Sequence, residues 1–553
     1  MYVYEPAVES DAKSGADEGD DGRFFDRALL IAAFGALAFL LANIVLYRYG
    51  RDQGIYAIVA EAMVTGGAPY KDAWDFKPPG VFIVYALARV LFGKGEHAIR
   101  VLEVTALASM VWAFCILSRR WVSDWRAGLL GGVIAIGVHA QLEFWHTAQP
   151  ESFGAVLIAW GLVCVTYEPR EGATHAWRRQ LGAWAGAGAL YTFAALCKPP
   201  LGGAFVVSLG VVAIARVRAA GAGEKLRALV HPALAFSAGG ATVVALVALY
   251  FAAKGALADL HYTLFVFTPY YTKLTFDKRW LWAYVYLAFE QFLVGFSSWI
   301  AAGLLSAIAL PELSTKERGA WGHVLAIVGM QLFGVGLQAK FFPYHYGAAL
   351  PLGALIAGWG FWKIWLRCRR TVLGAVAFAV FGYVVSQGRG ASRDLDDTYW
   401  DRCKMRIAAL RDPSIRRKTE DYLYSVADVN SGANRDVAEW VTQNSRPDQP
   451  VFVWGFEPEI YDLARRKPAS RYVYNVPQRV EWALDSRDRL MADLEATPPA
   501  IIVVERRDVF PAVTGNGLDS NDSLTSFPRM ASYLRERYRL ATRIEDFDLY
   551  LPR

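Results

Sequence analysis

The stretch LLIAAFGALAFLLANIVLYRYGRDQ, residues 29–53, decides how the chain folds. The run from Leu29 to Tyr47 carries no charged residue, and about 20 helical residues are enough to cross the roughly 30 Å hydrocarbon core of a bilayer. We therefore predict a membrane span here. The chain turns polar directly afterwards and has Asp52 at that edge. Asp52 is either a solvated charge that follows the end of a helix or a group held at the membrane surface for chemistry.

The composition extends this pattern to most of the chain. Of the 553 residues, 54% are hydrophobic, and the apolar residues form long blocks separated by short Arg-rich strings. This arrangement is typical of a polytopic α-helical membrane protein. The net charge of +6 comes largely from the Arg-rich loops and is no sign of nucleic-acid binding. We predict about eleven transmembrane spans, at 28–47, 98–118, 127–145, 152–168, 182–197, 199–217, 231–253, 286–310, 320–338, 346–362 and 371–387.

The connections between these spans alternate in charge, which predicts their orientation. Strings such as SRRWVSDWR and KIWLRCRR are basic, whereas HTAQPES and KFFPYHYG carry few or no basic residues. Because basic loops stay in the cytoplasm, the N-terminus is expected inside and the C-terminus outside. The segment PPGVFIVYALARVLF, residues 78–92, is too short for a span and contains Arg89. We expect it to form a helix at the outer interface.

Three parts of the chain differ in character. Residues 1–27 form an acidic tail that we expect to be disordered in the cytoplasm. Residues 28–387 form the transmembrane domain, with a first outer loop at 48–97. Residues 388–553 are predicted to be a soluble α/β domain on the outer face.

The soluble part has its own pattern of short apolar runs. We predict strands at 451–455, 500–505 and 547–552, alternating with helices near 430–443 and 479–495. The five cysteines include no CxxC motif, and their positions indicate no disulfide framework.

Polar side chains gather in the connections that are predicted to be outside. At the depth where a span meets its loop, ionisable groups are costly unless they pair or face a water-filled cavity. An outward cavity would explain all of these residues together. Each also has a separate explanation: a helix N-terminus favours the charge of Glu151, the lysines can extend to the membrane surface, and His345 can belong to an aromatic belt. The residues are Asp52, Tyr56, Tyr70, Asp75 and Lys77, then Glu151, Lys198, Lys340, Tyr344 and His345.

The first outer loop carries an ordered series of short motifs. They are Asp52, Tyr56-Ala57, GAPY at 67–70, KPP at 77–79, FG at 92–93 and AIR at 98–100. This order resembles the first outer loop of the GT-C superfamily of polyprenyl-phosphate-sugar-dependent glycosyltransferases. The nearest resemblance is to bacterial relatives of the protein O-mannosyltransferases and lipid A aminoarabinose transferases, that is, to glycosyltransferase family 39. The strings AQPESFGAV and KFFPYHYGAALPL are similar to two later sites of the same family.

Two positions depart from the family pattern. Gln53 stands where many members have a second carboxylate after the aspartate. Phe76 stands where aminoarabinose transferases have a glutamate that takes part in a metal site. We therefore assign no metal ligand and no certain cofactor, while a divalent metal remains possible.

The resemblance implies an activity. It implies an inverting membrane glycosyltransferase, which moves a hexose or pentose from a polyprenyl-phosphate donor to a lipid, glycan or protein acceptor. The site would face the periplasm from the bacterial cytoplasmic (inner) membrane, among membrane lipids. A non-enzymatic multi-pass transporter, flippase or envelope scaffold is the alternative, and a transporter would favour repeated halves and ionisable groups near the midplane.

The implied roles divide between catalysis and binding. Asp52 would be the catalytic base, and Glu151 would orient donor or acceptor. The remaining residues would bind substrate, with the lysines on the phosphate: Lys77, Lys198, Lys340, Tyr56, Tyr70, Asp75, Tyr344 and His345.

Overall fold

Uninterrupted apolar runs form the long helices of this protein. The computed structural model describes residues 20–170, 172, 174–221, 223–274, 280–295, 298–309, 313–387, 398–425 and 430–553. Most of the predicted disordered tail lies outside these residues, and the first described helix already begins at Asp20 and ends at Val45. The chain divides into two compact units.

The first unit is a set of apolar helices. It holds the chain up to Val45 together with Glu103–Leu246 and Trp280–Asp401. The described residues of the eleven predicted spans lie mostly on helices or on short 3-10 or π-helical segments, and two of these spans, 127–145 and 286–310, each extend over two helices. The helices are Asp20–Val45, Glu96–Trp121, Trp125–Gln141, Glu143–His146, Pro150–Val165, Ala176–Cys197, Gly203–Ala219, Lys225–Ala253, Leu281–Glu290, Ser298–Ala309, Thr315–Gln338, Ala349–Cys368 and Val372–Ser386. The short segments are Pro199–Gly202, Gln291–Gly295 and Pro343–Tyr346.

The described helices include six that are long and apolar enough to cross a membrane. A seventh is added if Leu281–Gly295 and Ser298–Ile308 count as one bent span. Pro150–Val165 and Val372–Ser386 are apolar but shorter. These helices are those of a membrane-embedded protein. The predicted number of eleven membrane crossings stays a prediction. The six are Arg23–Val45, Glu96–Trp121, Pro199–Ala219, Lys225–Ala253, Thr315–Gln338 and Ala349–Cys368.

Glycines allow helices of the first unit to pack closely. A Cβ atom added at Gly358 would lie 2.2 Å from the backbone nitrogen of Gly131. One added at Gly128 would lie 2.2 Å from the carbonyl oxygen of Phe114. Membrane helices lack a hydrophobic driving force between them, so close backbone contact through small residues supplies much of their packing.

The second unit joins three distant parts of the sequence. It contains Leu46–Leu102, the described part of Val247–Arg279, and Arg402–Arg553. The segment 78–92 forms the predicted helix, Pro79–Phe92, and its place at the outer interface stays a prediction. The helices are Arg51–Val64, Pro79–Phe92, Leu257–His261, Thr268–Lys273, Tyr399–Arg411, Pro413–Tyr424, Ser431–Asn444, Glu459–Ala464, Val476–Arg479, Asp485–Ala496, Pro511–Thr514, Ser520–Ser523 and Pro528–Arg537, with a π-helical segment at Tyr262–Phe267 and 3-10 turns at Glu481–Ala483 and Leu524–Ser526.

Residues 430–553 of this unit, the α/β region, contain a four-stranded sheet. Its strands are β1 (Val451–Trp454), β2 (Ile501–Glu505), β3 (Tyr538–Ile544) and β4 (Phe547–Pro552), in the order β1-β2-β4-β3. β1 and β2 are parallel, and the other pairs are antiparallel. The predicted strands correspond to β1, β2 and β4. β3 was not predicted, because it is a mostly exposed edge strand with arginines in its sequence YRLATRI.

The structure defines the surroundings of Asp52. A short helix begins at Arg51, so Asp52 lies in the first turn of that helix, seven residues after the end of the helix Asp20–Val45. Gln53 accepts a hydrogen bond at Oε1 from the Gly50 backbone N–H over 3.0 Å. A glutamine at this position satisfies a free N–H at the helix start. Gln53, at the position of the missing second carboxylate, is therefore a capping residue.

Candidate active site

Asp52, Asp75 and Lys77 form a charged cluster in the second unit. Asp52 belongs to the helix Arg51–Val64, and the other two residues lie directly before the helix Pro79–Phe92. Burial raises the pKa of Asp75 to about 6; the Lys77 charge lowers this pKa, and the Asp52 charge raises it. Lys77 and Asp52 are therefore both within electrostatic reach of Asp75.

Asp75 is the buried member of this cluster. Its side chain belongs to a residue that is only 1% exposed. Oδ1 accepts a hydrogen bond from Tyr474 Oη over 2.7 Å, and Oδ2 has no hydrogen-bond partner among the described residues. A carboxyl group with a pKa near 6 changes charge within the pH range in which acid–base groups of enzymes work.

Tyr271 joins the cluster from the helix Thr268–Lys273, in the connection between the predicted spans 231–253 and 286–310. Burial raises the pKa of Tyr271 to about 12; the Lys77 charge lowers it, and the charges of Asp52 and Asp75 raise it. Its ring centroid lies 4.2 Å from that of Phe76. The connection around Tyr271 is aromatic over much of its length, so no local pattern distinguishes this tyrosine from its neighbours.

Tyr56 and Tyr70 are both buried in the second unit. Tyr56 packs edge to face against Tyr85, with centroids 5.4 Å apart. Tyr70 donates a hydrogen bond from Oη to the backbone carbonyl of Lys77 over 2.8 Å, and its ring stacks on Phe251. Tyr70 thus fixes the backbone at Lys77. Substrate contact by either tyrosine stays a prediction.

Buried Glu151 forms an ion pair with half-buried Lys198 in the first unit. Glu151 lies in the first turn of the helix Pro150–Val165, and Lys198 directly follows the helix Ala176–Cys197. The helix dipole therefore favours Glu151 as expected, and the lysine adds a second stabilising charge. Lys198 Nζ also lies 5.3 Å from the ring centroid of Tyr344. Glu151 Oε2 has no hydrogen-bond partner among the described residues.

Aromatic rings surround Tyr344 in the 3-10 turn Pro343–Tyr346. The His146 ring stacks on Tyr344 at 5.8 Å, and the His345 ring meets it edge to face at 4.5 Å. A Cβ atom added at Gly347 would lie 3.2 Å from Glu151 Cβ, so the turn lies directly against that carboxylate. Glycine at this position keeps the turn and the ion pair close together.

Lys340 is half-buried just before this turn. It follows Ala339, which has a left-handed backbone conformation with φ of 49° and ends the helix Thr315–Gln338. The chain therefore changes direction sharply between the long helix and the residues around Tyr344. A phosphate contact by Lys340 stays a prediction.

Glu103, one of the few charges inside a predicted span, has a structural partner. Its Oε1 lies 2.9 Å from His139 Nε2 and also accepts a hydrogen bond from the Ala148 backbone N–H. Ala148 has a positive φ of 52°. Glu103 therefore fixes the turn that leads to Pro150 and to the helix that begins there.

The ten predicted residues thus lie in two groups, one in each unit. That a single cavity holds both groups stays a prediction. The predicted site residues did not include Tyr271, Tyr474 or His146, which lack a recognisable motif. The second unit contains Asp52, Tyr56, Tyr70, Asp75 and Lys77, and the first contains Glu151, Lys198, Lys340, Tyr344 and His345.

The described side chains contain no group of three or more His, Cys, Asp or Glu residues arranged to hold a metal ion. Phe76, at the position of the family's metal-site glutamate, packs among the rings of Trp74, Phe267 and Tyr271. This position offers an apolar surface and no metal ligand.

Comparison with solved structures identifies the fold. ArnT from Cupriavidus metallidurans bound to undecaprenyl phosphate is similar with a TM-score of 0.54 and 16% identity, covering 95% of this chain and 98% of that chain. The apo structure of the same protein gives a TM-score of 0.55 at the same identity and coverage. ArnT is a lipid A aminoarabinose transferase of the GT-C superfamily. The predicted GT-C fold is therefore confirmed. No protein-family model and no curated protein sequence matches the chain.

Proposed function

We propose that this protein is an inverting glycosyltransferase that uses a polyprenyl-phosphate-linked sugar. The observation that carries the proposal is the cluster of Asp52, Asp75 and Lys77 in the first outer loop of a chain with the GT-C fold. Its fold neighbour ArnT binds undecaprenyl phosphate, a carrier of the proposed class. The carboxylates supply acid–base chemistry, and the lysine supplies charge for a phosphate.

The proposed reaction begins at the acceptor hydroxyl. Asp52 accepts the hydroxyl proton while the acceptor oxygen attacks the anomeric carbon of the donor sugar. The bond between that carbon and the phosphate oxygen breaks on the opposite face, which inverts the configuration. The products are the glycosylated acceptor and polyprenyl phosphate, and the proton remains on Asp52 until it exchanges with water.

The departing phosphate gains negative charge and needs cations. Lys77 in the second unit and Lys198 and Lys340 in the first are the proposed cations. Positive charges that are in place before the reaction stabilise the negative charge that develops in the transition state, because no protein groups have to reorganise. Glu151 keeps Lys198 oriented through the ion pair and is proposed to help orient donor or acceptor.

The proposed site faces the periplasm from the bacterial cytoplasmic membrane. The transferred sugar is a hexose or pentose, and the acceptor is a lipid, a glycan or a protein. Tyr56, Tyr70, Tyr344 and His345 are proposed to shape the donor and acceptor sites. This orientation follows from the basic loops.

Lipid-linked sugar profiling tests the proposal without knowledge of the sugar. Deletion of the gene should make one polyprenyl-phosphate sugar accumulate, as measured by mass spectrometry of extracted lipids. The wild-type gene should restore the normal level, whereas Asp52→Asn should not. Asp72→Asn is the matched control, because Asp72 lies in the same loop, is exposed and accepts a hydrogen bond from the Ala68 N–H that asparagine can retain.

Two results would refute the proposal or the role of Asp52. If no lipid-linked sugar changes on deletion, the protein is not such a transferase. If Asp52→Asn restores the profile as fully as the wild type, Asp52 is not the base. Membrane content of each variant, measured by immunoblot, ensures that equal amounts of protein are compared.

A further inference from the structure

Tyr474 reaches the acidic cluster from the α/β region. It lies 399 residues after Asp75 in the sequence, and its Oη donates to Asp75 Oδ1 over 2.7 Å. Tyr474 is itself only 1% exposed. A buried hydrogen bond to a charged group contributes more than a neutral one and fixes the orientation of the acceptor.

The backbone beside Asp75 is tied to the same region. The Trp74 N–H donates to the Arg471 carbonyl over 2.7 Å, and Trp74 forms an isolated β-bridge with Tyr472. The Trp74 ring also contacts the rings of Tyr472 and Tyr474. The segment 471–474 therefore holds both the backbone and the carboxylate of the loop at residues 74–75.

We infer that the α/β region completes the active site, with Tyr474 as a positioning residue that holds Asp75 as the partner carboxylate of Asp52. This inference rests on the proposed function. It deepens that function by giving the α/β region a part in transfer. Asp75 supplies the second carboxylate that Gln53 does not provide, because Gln53 caps the helix Arg51–Val64.

The arrangement leaves one carboxylate oxygen for substrate. Tyr474 engages Oδ1, and Oδ2 has no hydrogen-bond partner among the described residues. An ionised Asp75 held in this way accepts a hydrogen bond from a hydroxyl group of the sugar or the acceptor. Burial raises the pKa of Asp75 to about 6, and the hydrogen bond from Tyr474 lowers this pKa. Tyr474 thus keeps Asp75 ionised to lower pH.

Ionisable groups from several elements act on Asp75. Their combined effect sets the pH at which Asp75 loses its proton. They are Asp52 from the helix Arg51–Val64, Tyr70 and Lys77 from its own loop, Tyr271 from the helix Thr268–Lys273, and Tyr474 from the α/β region.

The pH dependence of transfer tests this inference. The substrate is the membrane fraction of the deletion strain, which holds both the lipid-linked donor and its acceptor, and the measurement is consumption of that donor by full-length protein between pH 5 and pH 8. The wild-type rate should fall on acidification. Tyr474→Phe should move this fall to higher pH, with a loss of about 10-fold near pH 6 and a smaller loss at pH 8. Tyr538→Phe is the control, because this buried tyrosine of the same region donates to the Pro499 carbonyl over 2.8 Å, away from Asp75.

The outcomes separate the inference from the proposed function. If Tyr474→Phe has the wild-type profile, or loses rate equally at every pH, Tyr474 does not act through Asp75. Should Tyr474→Phe fail to fold, Asp75→Asn decides the matter, because it removes the charge and keeps an acceptor for Tyr474. A full wild-type rate of Asp75→Asn would overturn the inference, and a reduced rate would support it. If the wild type consumes no lipid-linked sugar, the proposed function itself fails.

Discussion

Arg51 and Glu457 form a buried ion pair, in which Arg51 Nε donates to Glu457 Oε1 over 2.6 Å. Glu457 Oε2 accepts a second hydrogen bond from Asn434 Nδ2 over 2.9 Å. The Arg51 guanidinium also lies 4.5 Å from the ring centroid of Phe510. Because Arg51 directly precedes Asp52, this pair ties the start of the helix Arg51–Val64 to the α/β region.

Removal of Arg51 should be strongly destabilising. Arg51→Ala leaves the Glu457 carboxylate buried without its cation, and such a change costs about 3–5 kcal/mol of folding free energy. We expect a clear fall in the thermal midpoint of the purified full-length protein. Arg446→Ala is the control, since its pair with Asp448 is exposed and contributes about 1 kcal/mol or less. Equal midpoints for the two variants would contradict the role of the buried pair.

Gly54 should not tolerate a larger side chain. A Cβ atom at this position would lie 3.0 Å from both the backbone nitrogen and the Cβ atom of Glu459. Gly54→Ala should therefore lower the stability by about 1–3 kcal/mol through overpacking, despite the better helix propensity of alanine. Gly182→Ala, a helical glycine with no atom within 4 Å of its added Cβ, should have no such cost. A Gly54→Ala protein as stable as Gly182→Ala would refute this close helix contact.

Asp75 should make the stability depend on pH. Burial raises its folded-state pKa to about 6, above the value near 3.9 of an unfolded chain, so its stabilising contribution is present below about pH 4 and is lost as the pH rises through 6. This loss amounts to about 3 kcal/mol. Asp75→Asn cannot titrate and should gain stability relative to the wild type between pH 4 and pH 7. Thermal midpoints of both proteins over this range would measure the effect, and parallel curves would contradict it.

Lys198 should contribute to binding of the lipid phosphate. Lys198→Met keeps an aliphatic chain over Tyr344 but removes the charge, and undecaprenyl phosphate should bind about 10-fold more weakly. Lys363→Met is the control, because Lys363 also pairs with a glutamate, Glu317, over 3.0 Å.

A double variant separates this binding role from a role in folding. Lys198→Met alone leaves Glu151 buried without its cation, whereas Lys198→Met with Glu151→Gln removes both charges. The double variant should recover thermal stability but not binding. Recovery of wild-type affinity by the double variant would show that the lysine does not contact the phosphate.

The candidate site was only partly predictable from the sequence. Asp52, Lys77 and Glu151 were found through motifs, because their neighbours in the sequence form a recognisable order. The pairing of Glu151 with Lys198 was not predicted, although both residues were named. Tyr271 lies in a connection so rich in aromatic residues that its sequence context gives no reason to choose it.

The sequence by itself determined the long apolar helices, three of the four strands and the motifs of the segment 48–97. Helix and strand formation depend on the pattern of apolar residues within one segment. These elements can therefore be recognised from the sequence without a structure. Only the tertiary structure decided that Tyr474 meets Asp75 and that Arg51 meets Glu457. These contacts join segments roughly 400 residues apart. Their geometry depends on how complete elements pack, which no local pattern encodes.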